Sequence, residues 1–480
     1  MFGKKLSFNL LLLAVVLSGI FFFLWKAQNP AKLNVVVIDI CSARADHFSF
    51  NGYNRQTTPN IDSFSKNAII FKNAWTQANW CLPDFATLLT GTRPEVNSML
   101  LPLPYPNFSV LPPSILTLAE VLKKAGYETA GFSGSQFLKD QYQLNRGFDS
   151  FQNPYTNKVD MQMSSFEDNL PKVEEFLTSH KKSPKPFFLY MSVDDLHAPY
   201  MTDDPKMFDK EYSGIFDSLD SDHMAEMSTR SIGGNFFDRL YNNPDDSAVM
   251  GVLDDQTAQV IKRQIAQFKK DPRELKHLIA RYDASLHRAD RLVGSVLAKL
   301  KKEYKDNTVI IITAHQGEYL GEHGLLGHSE GLNENMLNVP LLVYYPNSAK
   351  GPKARENLVE RIDIPATILD IVGVLPSYQK QYTGTSLLPL LTGQSVNQWK
   401  NYIFASSRPV RSGGQQKINI DERAVRNSQY KLIWYSYKDK PYELYDLKAD
   451  PSESADISAS NTKVFTELKN QLENYINSFK

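Results

Sequence analysis

Cysteine and excess charge are scarce in this sequence. Its 480 residues include only two cysteines, Cys41 and Cys81, which excludes a small secreted scaffold held together by disulfides. The 53 basic and 53 acidic residues cancel, and strong nucleic-acid binding usually needs a basic excess. We therefore expect no nucleic-acid partner. With 42% hydrophobic and 22% charged residues, the composition is that of an ordinary globular protein.

A long apolar run lies near the N-terminus, from Leu10 to Trp25. With its flanks the run is about 20 residues long, enough to cross a bilayer as a helix. Lys4 and Lys5 precede it and should stay in the cytoplasm, and no small-residue cleavage signal follows it. We therefore predict an uncleaved, single-pass membrane anchor with its linker over residues 1–32. The rest of the chain is then outside the cytoplasm, in the periplasm if the cell is Gram-negative.

Three apolar, β-branched runs are typical of strands buried on both faces of a parallel sheet. They are Val35–Ile40, Pro186–Val193 and Thr308–Thr313. Helical patterns over Ile115–Lys124 and Tyr282–Lys302 alternate with them. The alternation predicts an α/β fold with a doubly wound, mostly parallel sheet.

The ends of these strands predict where a ligand binds, because ligands of doubly wound sheets lie beyond the carboxyl ends of the strands. This rule marks the loops Asp39–Ser42, Asp194–Pro199 and Ala314–Glu318.

The pattern also predicts how the chain divides. We expect an α/β domain over residues 33–376, interrupted at about 201–274 by an insertion of weak periodicity that covers the site. Residues 377–480 change character and predict a small C-terminal α+β subdomain. Its strands and closing helix are expected at Arg423–Tyr435, Tyr442–Leu447 and Asn461–Phe479.

Several short motifs follow one another in a specific order. They are Arg44–His47 with Asn51–Tyr53 and Thr57–Asp62, then Trp80–Pro83 with Leu88–Gly91, then His197–Tyr200, then Gly317–Glu318 with Gly321–Gly324 and Gly327–His328, and finally Asp363–Thr367, Gly384–Leu388 and Glu443–Leu447. Together these resemble the sulfatase branch of the alkaline phosphatase superfamily. The resemblance extends from about Leu33 to the C-terminus.

The resemblance implies a sheet of the alkaline phosphatase and sulfatase type and metal-assisted hydrolysis of a sulfate or phosphate monoester. It implies a divalent metal ion and a nucleophile at Cys81, which sulfatases convert to formylglycine. It also implies that His197, His323 and His328 occupy oxyanion and leaving-group positions. A glycan or a lipid headgroup would carry the ester.

The residues after Cys81 depart from the family pattern. Asp84 stands where the family has Ser, and Phe85 stands where it has Arg. The missing Arg argues against formylglycine, and Asp84 is expected to add a negative charge where an anion should bind. An unmodified thiolate remains available at Cys81, because a helix N-terminus lowers the pKa of a thiol.

The metal positions of the family depart further. Cys41 falls on the family's first Asp, and His315 and Gln316 replace its later Asp and its His or Asn. Asp39, two residues before Cys41 on the same face of the strand, is the carboxylate that could replace the lost one. We predict these four residues as the metal site. A thiol and an imidazole suit a softer ion such as Zn²⁺ better than Ca²⁺, with Mn²⁺ as a third candidate.

The two cysteines map to the same centre, and three interpretations stay open. Cys41 and Cys81 share a soft metal with His315, they form a disulfide that blocks the nucleophile, or they are small apolar residues in a decayed site.

Three functions follow from this ambiguity. The first is a sulfatase-like hydrolase acting outside the cytoplasm with Cys81 as nucleophile. The second is an inactive sulfatase-like scaffold that binds a glycan or an envelope ligand. The third, transfer of a phospho-headgroup, ranks last, because such relatives usually have several membrane spans and a Thr nucleophile.

Overall fold

The structure is a computed structural model that describes residues 32–100, 109–154, 165–198, 200–218, 236–244, 255–348, 354–408, 410–413, 416–419 and 421–479. The predicted anchor with its linker covers residues 1–32, and residues 1–31 lie outside these ranges. None of the helices within them has the length and hydropathy of a membrane span.

A central sheet of eight strands runs through the larger part of the chain. Its spatial order is β10-β2-β9-β6-β1-β5-β3-β4, and β9 alone runs antiparallel to its neighbours. With the small pair β7–β8, the strands are β1 Asn34–Ile40, β2 Ile69–Trp75, β3 Glu128–Phe132, β4 Ser150–Gln152, β5 Phe187–Val193, β6 Thr308–Ala314, β7 Tyr319–Leu320, β8 Leu326–Gly327, β9 Leu341–Tyr344 and β10 Ala354–Glu360.

Helices cover both faces of this sheet. Those of the described residues are α1 Pro59–Ser65, α2 Cys81–Thr90, α3 Pro94–Asn97, α4 Leu118–Lys124, α5 Leu170–His180, α6 Ile215–Ser218, α7 Phe236–Asn242, α8 Asp255–Lys270, α9 Pro272–Glu303, α10 Glu334–Leu337, α11 Asp363–Ile371, α12 Leu375–Tyr378, α13 Leu388–Thr392 and α14 Thr462–Asn477. The predicted doubly wound, mostly parallel sheet is confirmed.

The three central strands are buried along their whole length, as their continuous apolar runs predicted. The side chains of β1 lie alternately in two hydrophobic clusters, one on each face of the sheet, because successive side chains of a strand point to opposite faces. Val36 and Ile38 pack with α1, α5 and α9, whereas Val35 and Val37 pack with α2, α4 and α11. The central strands are therefore packed between two layers of helices.

A second, antiparallel sheet lies in the C-terminal part of the chain. Its order is β11 Ile403–Ser407, β14 Glu422–Arg426, β15 Tyr430–Tyr435 and β16 Tyr442–Asp446, with the separate hairpin β12 Val410–Gly413 and β13 Gln416–Asn419. Leu468 and Leu472 of α14 bury against this sheet, as the predicted closing helix requires. The boundary at residue 376 itself stays a prediction.

The predicted insertion is partly described. Helices α6, α7 and α8 lie within or next to it, and α7 packs beside β8. The side-chain amide of Asn242 in α7 binds both backbone groups of Leu326, donating to its carbonyl and accepting from its N–H at 2.9 Å each. This contact holds α7 over the loop that follows β8.

Helix α2 begins at Cys81 and is capped at its C-terminus by Gly91. Substitution of this glycine tests how closely the end of the helix is packed. Gly91 has φ of 63°, and a Cβ there would overlap the ring of Tyr382, whereas a Cβ on Gly126, with φ of 89°, would meet nothing within 4 Å. Both Gly→Ala variants incur the backbone penalty of positive φ. We expect Gly91→Ala to lower the free energy of unfolding by about 2 kcal/mol more than Gly126→Ala, measured by urea denaturation. Equal losses would contradict this packing.

Candidate active site

The loop after β1 meets the loops after β5 and β6, as the strand-end rule predicted. Cys41 directly follows β1, and its backbone N–H donates to the Val193 carbonyl at 2.9 Å. Ser42 has φ of 51°, which is uncommon for a residue other than glycine. The hydroxyl of Tyr282 in α9 donates to the Ser42 carbonyl at 2.7 Å. Packing from α9 therefore holds the loop that carries the Cys41 sulfur.

Cys81 is the first residue of α2, where the backbone N–H groups of the first turn have no partner within the helix. The residue is 2% exposed. Its sulfur lies 3.9 Å from Nε2 of His328 and 3.4 Å from Nε2 of Gln316. The predicted nucleophile thus lies beside two other predicted site residues, Gln316 in the loop after β6 and His328 directly after β8.

A chain of hydrogen bonds leads away from Cys81 through His328. Nδ1 of His328 lies 2.8 Å from Oε2 of Glu318, and the hydroxyl of Tyr200 donates to the other oxygen of Glu318 at 3.0 Å. Burial opposes the charged imidazole, but the Glu318 carboxylate and the Cys81 thiolate outweigh it and raise the pKa of His328 well above its ordinary value. A protonated His328 therefore faces the sulfur.

The two cysteines are both free and have opposite electrostatic character. A hydrogen bond from Cys41 lowers the pKa of Cys81 well below the ordinary thiol value, against the effect of burial and with help from His315 and His328. Burial, then the neighbouring Cys81, raises the pKa of Cys41 well above it. Cys81 is therefore the thiolate of the pair and Cys41 the thiol.

Asp39 is linked to the site by its contacts with Arg361, Tyr190 and His315. Its carboxylate forms a fully buried ion pair with Arg361, accepts from the Tyr190 hydroxyl at 3.0 Å and lies 3.3 Å from Nδ1 of His315. Burial disfavours its charge, but Arg361 and His315 lower the pKa of Asp39 below its ordinary value. Burial likewise opposes a charged His315, yet Asp39 raises the pKa of His315 to about 10. Asp39 therefore orients His315, and its oxygens are occupied by protein donors.

Two buried polar atoms beside the cysteines have no hydrogen-bond partner. They are Nε2 of His315 and Oε1 of Gln316. The ligand atoms of Cys41, Cys81 and His315 lie within 4.8 Å of one another. A buried polar group without a partner costs free energy, so this cluster is chemically incomplete as protein alone.

The predicted histidines do not all reach the site. His197 lies beside His328, with ring centroids 4.9 Å apart, and its Nδ1 donates to the Ala198 carbonyl at 2.8 Å. His323 is exposed in the turn Glu322–Gly324 with φ of 55°, and its charged neighbours include Lys431 of the C-terminal sheet. The motif match predicted a site role for His323, and the structure places its ring 6.0 Å from that of Tyr319.

The two residues that depart from the family pattern are buried in α2. Asp84 accepts from the Thr76 hydroxyl and, at 3.2 Å, from the Ala78 N–H. Burial raises the pKa of Asp84 well above its ordinary value. The expected negative charge is therefore suppressed. Phe85 packs on the His315 ring with centroids 4.4 Å apart, so an aromatic ring, and not a charged group, lies against that imidazole.

Two site residues were missed from the sequence. Arg361 directly follows β10, so the strand-end rule would have marked it had β10 been recognised; its guanidinium also donates to the Asp84 carbonyl at 2.7 Å. Asp238 of α7 would contact any side chain placed at Gly327, and burial, followed by Glu318, raises the pKa of Asp238 to about 8. Asp238 gave no signal, because the insertion lacks periodicity.

Comparison with known proteins gives two family matches. The model of the sulfatase family matches residues 33–374. A second model, described as the C-terminal part of N-sulphoglucosamine sulphohydrolase, matches residues 321–478.

Individual relatives agree over most of their length. An N-acetylglucosamine-6-O-sulfatase of Bacteroides thetaiotaomicron is 26% identical over 93% of this chain and 87% of its own. The arylsulfatase K of Canis lupus familiaris is 23% identical over 93% of this chain and 83% of its own. The solved structure of a 2-O GAG sulfatase superposes with a TM-score of 0.70 and 22% identity, covering 93% of this chain and 92% of that one.

The buried ion pair of Arg361 and Asp39 yields a stability prediction. We expect Arg361→Met to lower the free energy of unfolding by about 3–5 kcal/mol, because it leaves a buried carboxylate without its cation. The half-exposed pair of Arg291 and Asp203 is the control, and Arg291→Met should cost less than about 1 kcal/mol. Denaturant titration at pH 7 measures both; a small loss for Arg361→Met would show that the pair contributes little.

Asp238 yields a pH dependence. Its pKa rises from 3.8 to about 8 on folding, so between these values the unfolded chain releases a proton that the folded chain keeps. This group therefore makes the folded state lose stability as pH rises through that window, by about 1 kcal/mol per pH unit, and adds no further loss above it. Asp238→Asn removes the effect. We expect the stability of the variant relative to the wild type to increase from pH 5 to pH 8, whereas a flat difference would refute the raised pKa.

Proposed function

The chain belongs to the sulfatase family, and on that premise we propose that it hydrolyses a sulfate monoester with the Cys81 thiolate as nucleophile. One observation carries the proposal. Cys81 begins α2, its sulfur lies 3.9 Å from Nε2 of His328, and Glu318 holds the other nitrogen of that ring at 2.8 Å. A nucleophile, a proton donor and an orienting carboxylate thus contact one another in sequence.

The start of α2 suits both the thiolate and the anion that it attacks. The free N–H groups of the first helical turn and the helix dipole favour negative charge there. His328 adds a positive charge, which stabilises the oxygens of a sulfate group as charge builds on them.

The reaction balances with the residues at hand. The Cys81 sulfur bonds to the sulfur of the ester as the bond to the bridging oxygen breaks, and that oxygen takes the proton of His328 Nε2. Water then attacks the sulfonate sulfur of the S-sulfocysteine, and the Cys81 thiolate leaves. One proton of the water returns to Nε2 of His328, and the other stays on the hydrogen sulfate. The products are the alcohol and hydrogen sulfate. Glu318 keeps His328 in the orientation that both transfers need.

Family members typically use a divalent metal and formylglycine. We propose instead that Cys81 acts as the encoded thiolate, because Phe85 fills the position of the family's Arg and packs on His315.

The substrate that we propose is a sulfated sugar. The relative from Bacteroides thetaiotaomicron is named for a sulfate on N-acetylglucosamine, and it aligns along nearly the whole chain. With the apolar run Leu10–Trp25 as an anchor, the reaction would take place at a membrane surface outside the cytoplasm. A phosphate monoester is the second substrate class, since the same thiolate chemistry transfers a phosphoryl group.

An inactive, ligand-binding scaffold is the rival function. The observation that favours it is the 2% exposure of Cys81, together with the ion pair of Arg361 and Asp39 at the centre. Such a protein would bind a sulfated glycan and release it unchanged.

Removing the nucleophile tests the proposal. We expect Cys81→Ala to lower kcat/KM for an aryl sulfate by at least about 10³-fold, because no other group replaces the thiolate. Turnover is measured by phenol release, with an aryl phosphate in parallel, and glycan binding by calorimetry. Binding by the wild type without turnover would establish the scaffold, and full activity of Cys81→Ala would exclude this nucleophile.

The proton donor is tested by the leaving group. We expect His328→Gln to lower kcat by about 10²–10⁴-fold for a sugar sulfate, but much less for an ester of an acidic phenol, which leaves without a proton. His180→Gln is the control, because His180 packs beside Phe187 at the other end of β5 and should leave kcat unchanged. Equal losses for both esters would contradict the role of His328.

A further inference from the structure

The cluster of Cys41, Cys81 and His315 is built from soft ligands. All three residues are buried, and their ligand atoms lie within 4.8 Å of one another. We infer that they hold one soft divalent cation, Zn²⁺ in chemical class, where family members hold a divalent metal of their own. The inference concerns the centre proposed for hydrolysis, but it depends on ligation and not on turnover.

A hard cation does not fit these residues. Ca²⁺ takes six to eight oxygen ligands and Mg²⁺ nearly as many, with carboxylates prominent among them. The carboxylate of Asp39 is held by Arg361, and that of Asp194 accepts from the Ser192 hydroxyl and from the Gly134 N–H at 3.1 Å. These two carboxylates therefore already serve protein donors, and burial disfavours the charge of a third, Asp84.

The ring of His315 is oriented as a metal ligand would be, and a bound cation would displace the proton of its Nε2. Zinc-binding histidines usually donate the ring N–H that does not bind the metal to a carboxylate, which fixes the ring and its tautomer. Nδ1 of His315 lies 3.3 Å from the Asp39 carboxylate, and its Nε2 is buried on the cysteine side with no partner in the protein. Oε1 of Gln316 is a second buried acceptor without a partner beside the same sulfurs.

Distance and charge both favour zinc. Bonds of about 2.3 Å to sulfur and 2.0 Å to nitrogen set tetrahedral ligand atoms about 3.5 Å apart, so the cluster needs to close only slightly. Two thiolates and one Zn²⁺ sum to zero charge, which suits a fully buried centre. Three protein ligands leave the fourth tetrahedral position to water or substrate, the arrangement of catalytic zinc. When bound, the ion would keep Cys81 deprotonated and polarise an oxygen at that position.

A second group shares Cys81 and must be distinguished. The ligand atoms of Cys81, His197 and His328 also lie within 4.8 Å, but the two histidines are only partly buried. Nε2 of His328 faces Cys81 in the role proposed above. The group around Cys41 is the better site because it is fully buried, includes the unpartnered Nε2 of His315 and lies beside the unpartnered Oε1 of Gln316.

Cobalt substitution tests the inference on the full-length chain, reduced and purified in detergent. After chelation and reduction, the wild type is titrated with Co²⁺, whose bonds to thiolate give a near-ultraviolet charge-transfer absorption. We expect one equivalent to bind with this absorption, Zn²⁺ to displace it and excess Ca²⁺ to leave it unchanged. Cys41→Ser should remove about half of the absorption, and His315→Gln should weaken Co²⁺ binding at least about 10-fold.

His197→Gln and His328→Gln are matched controls, because both change a histidine beside Cys81, and each variant should still bind one equivalent of Co²⁺ with the thiolate absorption. Loss of cobalt in these variants, with retention in Cys41→Ser, would move the ion to the other group and overturn the inference. Absence of thiolate absorption in the wild type, or displacement of cobalt by Ca²⁺, would also overturn it. The wild-type spectrum alone reports ligation, so the test does not depend on a variant that fails to fold. Loss of turnover with cobalt still bound would count against the proposed hydrolase and not against the metal site.

Discussion

The buried ion pair of Arg361 and Asp39 joins the parts of the chain that build the centre. Asp39 belongs to β1, Arg361 follows β10, and the same guanidinium binds the carbonyl of Asp84 in α2. Two ions buried in this way are stable only while each keeps its partner, because desolvation of a lone charge costs several kcal/mol. The positions of β1, α2 and the β10–α11 connection are therefore coupled through one guanidinium.

That coupling also determines what the centre can bind. Because Asp39 is neutralised by Arg361, the anionic donors that Cys41 and Cys81 offer to the centre are sulfurs. The imidazoles of His315 and His328 are held in place by the carboxylates of Asp39 and Glu318. A site of thiolate and imidazole selects different cations from a site of carboxylates. The fold is that of the sulfatases, and the side chains at the ends of its central strands include two thiols and an imidazole.

The sequence predicted the fold well because buried parallel strands are continuous apolar runs. The strands β1, β5 and β6 and the periodic part of α9 were recognisable for this reason, whereas β7 and β8, with two residues each, carry no period. Motif order assigned Cys81, His197 and His328 to one centre, and their ligand atoms lie within 4.8 Å of one another in the structure. His323, assigned to the same centre, is exposed on a turn with positive φ, a conformation that motif order does not indicate.

Other parts of the centre could not be predicted from local pattern. Asp39 and Arg361 are 322 residues apart, and nothing in either segment indicates the other. From the sequence Asp84 was expected to carry a negative charge. Its ionisation depends on burial, which only the packing of α2 shows.

The burial of Cys81 has a consequence for the lifetime of the reactive sulfur. The residue is 2% exposed, and its sulfur faces His328, which directly follows β8, the strand that Asn242 of α7 fastens. A thiolate reacts with oxidants at a rate set by how often solvent reaches it. In an oxidising compartment, the rate at which the packing around Cys81 opens would therefore determine how long each molecule keeps an intact sulfur.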